Sequence, residues 1–212
     1  MKQNYQVIMD NMLNKIKESG SVPSLLLHTC CAPCSSYVLE YLSEYFNITI
    51  YYYNPNINTY EEFKKRSLEQ LRLLNEIKLK NKVSCIIAEY NNNEFEDAIK
   101  GLTDEPEGGK RCFKCYHLRL EQACKYALEH NFDYFTTSLS ISPYKNSTKI
   151  NEIGEELEKL YSVNYLYADF KKKDGYKRSI ELSRIYNLYR QDYCGCIYSK
   201  KRKDDLNDKE CI

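Results

Sequence analysis

The residues with the most chemistry in this chain are cysteines, and they are not scattered. His28-Thr29-Cys30-Cys31-Ala32-Pro33-Cys34 carries three thiols in five residues, Cys112-Phe113-Lys114-Cys115 carries two, and Cys194-Gly195-Cys196 carries two more. Seven of the ten cysteines thus fall in three tight groups, which points to one site built from three parts of the chain. Cys-x-x-Cys lets one turn of backbone aim two sulfurs at one metal, the pattern of zinc and iron–sulfur sites. Adjacent Cys30 and Cys31 diverge in an extended strand, but a turn at a strand end converges them or gives each a different iron. Four thiolates from these two loops complete a cysteine-only shell. The residues alone leave a tetranuclear iron–sulfur cluster and structural zinc as equal alternatives. Cys34 is then a thiolate beside the cluster, a ligand to a second metal, or a helix residue with no part in the chemistry. His28 reads as a hydrogen-bonded core residue before it reads as a ligand.

Cys194-Gly195-Cys196 is different in kind. A Cys-x-Cys disulfide closes a small strained ring, and strained disulfides are the redox-labile ones. The alternative is two further metal ligands. Cys85 within a strand, Cys124 on an apolar stripe with Leu120, Ala123 and Ala127, and Cys211 in the terminal tail read as inert.

Periodicity shows the elements that must position these thiols. Tyr5, Ile8, Met9, Met12, Leu13 and Ile16 predict an accessory amphipathic helix over about 3–18, ending at Gly20. Strands are expected at Ser24–Thr29, Ile48–Tyr53, Val83–Ala88, Phe132–Thr136 and Asn164–Ala168. Helices are expected after Ser35-Ser36, which can cap, and over about 60–80, 113–130, 145–160 and 177–189. This alternation predicts an α/β fold: a Rossmann-like, mostly parallel sheet with helices on both faces, plus the N-terminal helix. Ligands in such folds sit beyond the carboxyl ends of the strands, where Cys30 falls. The chain reads as one domain, with an accessory helix at 1–20, a core at 22–198 and a charged tail at 199–212.

At 212 residues, a net charge of +1 neither predicts nor excludes a nucleic-acid partner. The last quarter is nevertheless basic and tyrosine-bearing, with Lys171-Lys172-Lys173, Lys177-Arg178 and Lys200-Lys201-Arg202-Lys203. That face suits phosphates and bases, or is simply a solvated surface. No secretory segment and no membrane-length apolar run is seen, so a reducing cytosol is expected, where clustered cysteines mean metal or redox chemistry. There is no Walker loop, dinucleotide fingerprint, nucleophile elbow or paired-histidine motif.

Taken together, five stretches resemble one family, the epoxyqueuosine reductases of the QueH type. They are Leu26-Leu27-His28-Thr29-Cys30-Cys31-Ala32-Pro33-Cys34, Tyr53-Asn54-Pro55-Asn56-Ile57, Glu105 to Cys115, Phe135 to Asn146, and Leu188 to Cys196. The resemblance implies a cytoplasmic enzyme that reduces epoxyqueuosine to queuosine at the wobble position of tRNA, with an external electron donor and no membrane. It implies a 4Fe-4S cluster on Cys30, Cys31, Cys112 and Cys115, a redox-active pair in Cys194 and Cys196, and an additional iron for which Cys34 is a candidate ligand. Lys110, Arg111, Lys172, Lys177 and Arg178 are the candidate tRNA contacts. Asn91 departs from the aspartate expected at that position. Two rivals remain at this level: a nucleotide-dependent tRNA thiolase-like enzyme, whose phosphate loop Cys-Cys-Ala-Pro-Cys does not supply, and a colourless zinc-stabilised RNA-binding module.

Overall fold

Leu25, Leu26 and Leu27 have no exposed surface, because the strand they form, β1 (Ser24–His28), lies mid-sheet with both faces covered. In the computed structural model, which describes residues 3–200, β1 pairs in parallel with β2 (Asn47–Tyr52) on one side and β4 (Tyr134–Thr137) on the other. β3 (Val83–Ile87) and β5 (Asn164–Tyr165) take the edges, giving the order β3-β2-β1-β4-β5, all parallel. A strand buried on both faces reads as an unbroken apolar run, and Leu25-Leu26-Leu27 is such a run. The expected α/β architecture is therefore the observed one.

Alternate residues of each strand face opposite layers. Leu25, Leu27, Ile48, Ile50 and Tyr52 pack with α1 (Tyr5–Ser19), α2 (Ala32–Leu42) and α3 (Tyr60–Glu76) through Met9, Leu13, Val38, Leu39 and Phe63. Leu26, Tyr51 and Phe135 pack on the other face with α5 (Lys110–Glu129) and α6 (Ser147–Tyr161) through Leu120, Ala123, Ile150 and Leu157. Helix α7 (Gly175–Ile185) lies against α2. The N-terminal helix ends as predicted at Gly20, whose φ of 68° is the left-handed conformation glycine adopts freely.

Five local differences separate the structure from the sequence expectation. Ser35 and Ser36 do not cap α2; Pro33 is tolerated in the first turn, the helix starts at Ala32 with Cys31 at its N-cap, and both serines donate back to the carbonyls of Ala32 and Pro33 at 3.1 and 3.0 Å. Helix α5 starts at Lys110, so Cys112 and Cys115 share one face of its first turns. A short helix, α4 (Asn92–Ala98), went unpredicted because Phe95 and Ile99 are its only periodic apolar residues; they pack against Cys115 and Cys196, and Asn91 caps it by accepting from the Asn93 N–H. Strand β5 stops at Tyr165 instead of reaching Ala168. The side chain of Asn151 takes both backbone groups of Ala168, at 2.9 Å each, in place of a ladder partner. α3 likewise ends at Glu76, before the expected Lys80, where Ile77 turns extended. The tail residues Lys201, Arg202, Lys203 and Cys211 lie outside the described residues.

Candidate metal and thiol centre

The carboxyl ends of β1, β2 and β4 open onto one edge of the sheet, and all three cysteine groups arrive there. β1 delivers Cys30 and Cys31, and the early start of α2 swings Cys34 back toward them. Their three sulfurs lie within 4.8 Å of one another, with Cys30 and Cys31 Sγ 3.7 Å apart. Such a triad can hold a metal ion, and thiolate donors select iron–sulfur, zinc or Cu(I). The polar loop before α5 brings Cys112, whose sulfur accepts from the Gly108 N–H at 3.2 Å, and Cys115, whose sulfur accepts from Arg119 Nη1 at 3.8 Å.

Cys194 and Cys196 are held by their backbone. Arg66 Nη1 donates to the Cys194 carbonyl at 3.3 Å and the Asn58 N–H to the Gly195 carbonyl at 3.0 Å. Gly195 has φ 118°, and a Cβ there would lie 3.1 Å from Ile57 Cγ1 and 3.2 Å from Arg66 Nη1, so the tight turn requires glycine. The nine cysteines from Cys30 to Cys196 are free thiols.

Two adjoining cavities connect the groups. The larger, of about 510 Å3, has Cys30 and Cys34 in its wall together with the 141–145 and 190–194 segments. The smaller, of about 30 Å3, is walled by Cys112, Cys115, Cys194 and Cys196. Cys194 and Lys145 line both. Lys145 and Arg119 are the site residues that sequence reasoning passed over, although each left a signal. Lys145 is the penultimate residue of the Phe135-to-Asn146 stretch. Arg119 is a cation on the apolar stripe of α5, one turn after Cys115, and is only 1 % exposed.

The electrostatics follow from burial among these cations. Hydrogen bonds from Cys31 and Cys34 hold the Cys30 thiol well below the usual range, against burial and with help from Lys145 and Arg119. Burial and the shared bond with Cys30 push Cys31 up to about 12, and Cys34 rises with it. The triad therefore loses one proton readily and keeps the other two unless a cation replaces them. Burial raises Cys112, takes Cys115 to about 11, and with the charge of Cys194 takes Cys196 to about 12. Burial alone would lower Lys145, but the charges of Cys194, Cys30 and Cys34 outweigh it and keep the ammonium protonated. His28 is buried, 2.8 Å from Thr137 Oγ1 and 3.1 Å from the Tyr53 carbonyl; burial and Arg119 depress it to about 3, so it is a neutral core histidine.

The donor set suits an anionic, thiolate-bound metal group. Arg119 donates to Asn54 Oδ1 at 2.7 Å and to His28 Nε2 at 3.3 Å, with no carboxylate among its hydrogen-bond partners in the described residues, so thiolates are its counter-charge. The charge of Cys31 acts on Tyr52 and Arg66, and among the described residues the buried atoms Tyr52 Oη, Arg66 Nη2 and Gln70 Nε2 have no hydrogen-bond partner. Arg66 and Gln70 occupy core positions of α3 one and two turns after Phe63, a polar pair on an apolar stripe. Buried donors left unmatched beside thiols are what a sulfur-rich anion would satisfy.

The candidate tRNA contacts lie apart. Lys110, Lys172 and Lys177 are exposed. Arg178 is forked onto Glu40 at 2.7 and 2.9 Å. Arg111 is placed differently: it is 4 % exposed, its Nη1 donates to the carbonyls of Leu102, Thr103 and Glu105, and it stacks on Tyr198, so it pins the loop before α5.

The chain is thus a parallel α/β protein with a cysteine triad that could hold a metal ion at its strand ends. Among the described residues no helix is long and apolar enough to cross a membrane. Residues 25–202 match the family described as Epoxyqueuosine reductase QueH. The chain is 44 % identical over 206 residues to the protein of that name from Staphylococcus epidermidis, covering 95 % of this chain and 87 % of the relative. It is 45 % identical over 203 residues to that of Streptococcus pyogenes, covering 94 % and 79 %, and 32 % identical over 182 residues to that of Thermotoga maritima, covering 83 % and 90 %. The chain belongs to the epoxyqueuosine reductase QueH family, whose members are named as oxidoreductases.

Proposed function

We propose that this chain reduces epoxyqueuosine to queuosine at the wobble position of tRNA, in the cytoplasm, with electrons from an external donor. The observation that carries the reading is the convergence of three sequence-distant thiol groups on two adjoining cavities, with Cys194 in the wall of both. In this reading Cys30, Cys31, Cys112 and Cys115 hold a 4Fe-4S cluster, Cys34 is offered to an additional iron, and Cys194 and Cys196 are a redox-active pair. Bound there, such a centre supplies single electrons and Lewis acidity toward an oxirane oxygen.

The remaining work belongs to the chain. Deoxygenation breaks both C–O bonds of the oxirane, consumes two electrons and two protons, and releases water. Oxidation of the Cys194/Cys196 dithiol to a disulfide yields two electrons and two protons, so one turnover balances one dithiol, which the external donor restores. The 510 Å3 cavity lies within the roughly 300–1,000 Å3 of small-molecule sites and takes the modified base, while Lys145 keeps a proton at Nζ in its wall. Lys110, Lys172 and Lys177, and Arg178 if it leaves Glu40, contact tRNA phosphates.

Anaerobic purification with iron, sulfide and zinc analysis, followed by nucleoside mass spectrometry of treated tRNA, tests this reading. About four sulfides and four irons per chain, rising toward five irons where Cys34 holds the additional one, with loss of one oxygen from the modified nucleoside, are expected. A colourless protein with stoichiometric zinc and no conversion after anaerobic reconstitution refutes it. Cys194→Ser should abolish multiple turnover with a dithiol reductant; full retention removes the pair from the mechanism.

A further inference from the structure

Tyr144 is the most exposed large apolar or aromatic side chain in the described structure, at 81 %, against 65 % for the next, Leu160. It stands on the rim of both cavities. Its ring makes no hydrogen bond or ring contact among the described residues, so it contributes little to packing there.

The turn beneath it is nonetheless well fixed. The Ser142 N–H donates to the Leu139 carbonyl at 3.3 Å, the Tyr144 N–H to Ser142 Oγ at 3.3 Å, and the Lys145 N–H to the Ser142 carbonyl at 3.2 Å. Pro143 restricts φ just before the ring, and Asn146 caps α6 just after it by accepting from the Lys149 N–H at 3.0 Å. An exposed aromatic on a rigid turn is prepaid for binding, because little backbone freedom is lost when a partner arrives. A cation shares that rim: the exposed Arg190 stands on the wall of the larger cavity.

The substrate chemistry supplies the partner. The thiols lie within the cavity walls, so a modified base must leave its stack and enter to react, and its neighbours lose a stacking face as it does. Single-stranded RNA bases are recognised by stacking on aromatic rings, with cations on the adjoining phosphates. We propose that Tyr144 is the stacking platform for the nucleotide adjacent to the modified one, with Arg190 facing the intervening phosphate. The proposal rests on the reductase reading and goes beyond it: the rim makes the enzyme prefer the modified nucleoside within RNA over the same nucleoside free. Because every base has a π-face, the platform tolerates any neighbouring base.

The test uses metal-loaded enzyme carrying Tyr144→Ala, Tyr144→Phe or Tyr144→Trp. Its substrates are an anticodon stem-loop bearing epoxyqueuosine and the free epoxyqueuosine nucleoside. Tyr144→Ala should lower the ratio of kcat/KM for the stem-loop to that for the nucleoside by about ten-fold or more, mostly through KM, with Phe and Trp restoring it. An unmodified stem-loop with 2-aminopurine beside the wobble position should be quenched by wild type and far less by the alanine variant. Equal losses on both substrates would make Tyr144 a wall of the cavity and overturn the proposal, as would identical quenching by wild type and Tyr144→Ala. If wild type reduces neither substrate, the reductase reading falls, while the quenching comparison still decides the role of Tyr144.

Discussion

Arg119→Met is the substitution that most directly tests how the site is balanced electrically. The guanidinium is 1 % exposed, and its hydrogen-bond partners are Asn54, His28 and Cys115, none of them a carboxylate. A buried cation is costly unless an anion pays for it, and the charges acting on Arg119 are those of Cys115, Cys30 and Cys194. With no metal bound, Cys30 gives up its proton readily while Cys115 keeps its own, so Arg119 is then only partly compensated. Methionine keeps much of the aliphatic stem and removes that charge, losing a charged bond to Asn54 worth about 1.5–3 kcal/mol. These two effects oppose each other in the metal-free protein. With a thiolate-bound metal centre in place the cation gains its partner, and breaking a buried charge pair from one side costs about 3–5 kcal/mol. The prediction concerns the difference: the gain in Tm on metal loading should shrink in the variant by about 10 °C, taking roughly 2–4 °C per kcal/mol for a domain of this size. Differential scanning fluorimetry of loaded and metal-free protein, wild type beside variant, measures it. An unchanged loading gain would show that Arg119 is not the counter-charge of the centre and would sink the electrostatic argument.

Three further outcomes follow from the packing and charges. Gly154 sits inside α6, where alanine would gain about 1 kcal/mol of helix propensity. A Cβ there would fall 2.2 Å from the ring of buried Tyr165, so Gly154→Ala should still destabilise by about 1–3 kcal/mol in urea unfolding; a stabilised variant contradicts that contact. Cys85 is raised to about 11 by burial in β3, so the folded state disfavours its thiolate. Its stabilising contribution is complete below the unfolded thiol value and is lost as pH rises through about 11, and iodoacetamide should spare it at pH 8 in native protein; rapid native labelling there refutes the shift. Reversing charge in a Lys172→Glu, Lys177→Glu double variant should weaken tRNA binding and lower the slope of log K against log salt by about one per lost phosphate contact; an unchanged slope removes both from the interface.

What could be read in the sequence divides along physical lines. Leu25-Leu26-Leu27, Ile48 to Tyr53 and the stripe of α1 signal their burial directly, because period and apolar content are local properties. The end of β5 is not local: it depends on Asn151, seventeen residues upstream of Ala168, supplying the bonds a ladder would otherwise make. Helix α4 escaped for the same reason, since Phe95 and Ile99 are meaningful only against Cys115 and Cys196. Within the site, the cysteine groups announced themselves through spacing. Arg111 is a basic residue beside a glycine-bearing loop, and no pattern distinguishes one aimed outward from one folded onto the loop's own carbonyls. Arg66, Gln70 and Arg119 could have been found as polar residues on apolar helix stripes, a conflict between period and chemistry that marks functional interiors.

The cysteine triad near β1 differs from the other thiols in when it becomes complete. During synthesis Cys30, Cys31 and Cys34 emerge together, because the residues that group their sulfurs within 4.8 Å are consecutive ones at the end of β1 and in the first turn of α2. Cys112 and Cys194 follow much later. A growing chain thus carries three soft sulfur donors before the rest of its centre exists, and affinity alone ranks zinc above ferrous iron for thiolates. Correct metallation is then a matter of delivery and timing: the cell must keep competing ions scarce, or load the centre only after the last thiols have folded into place.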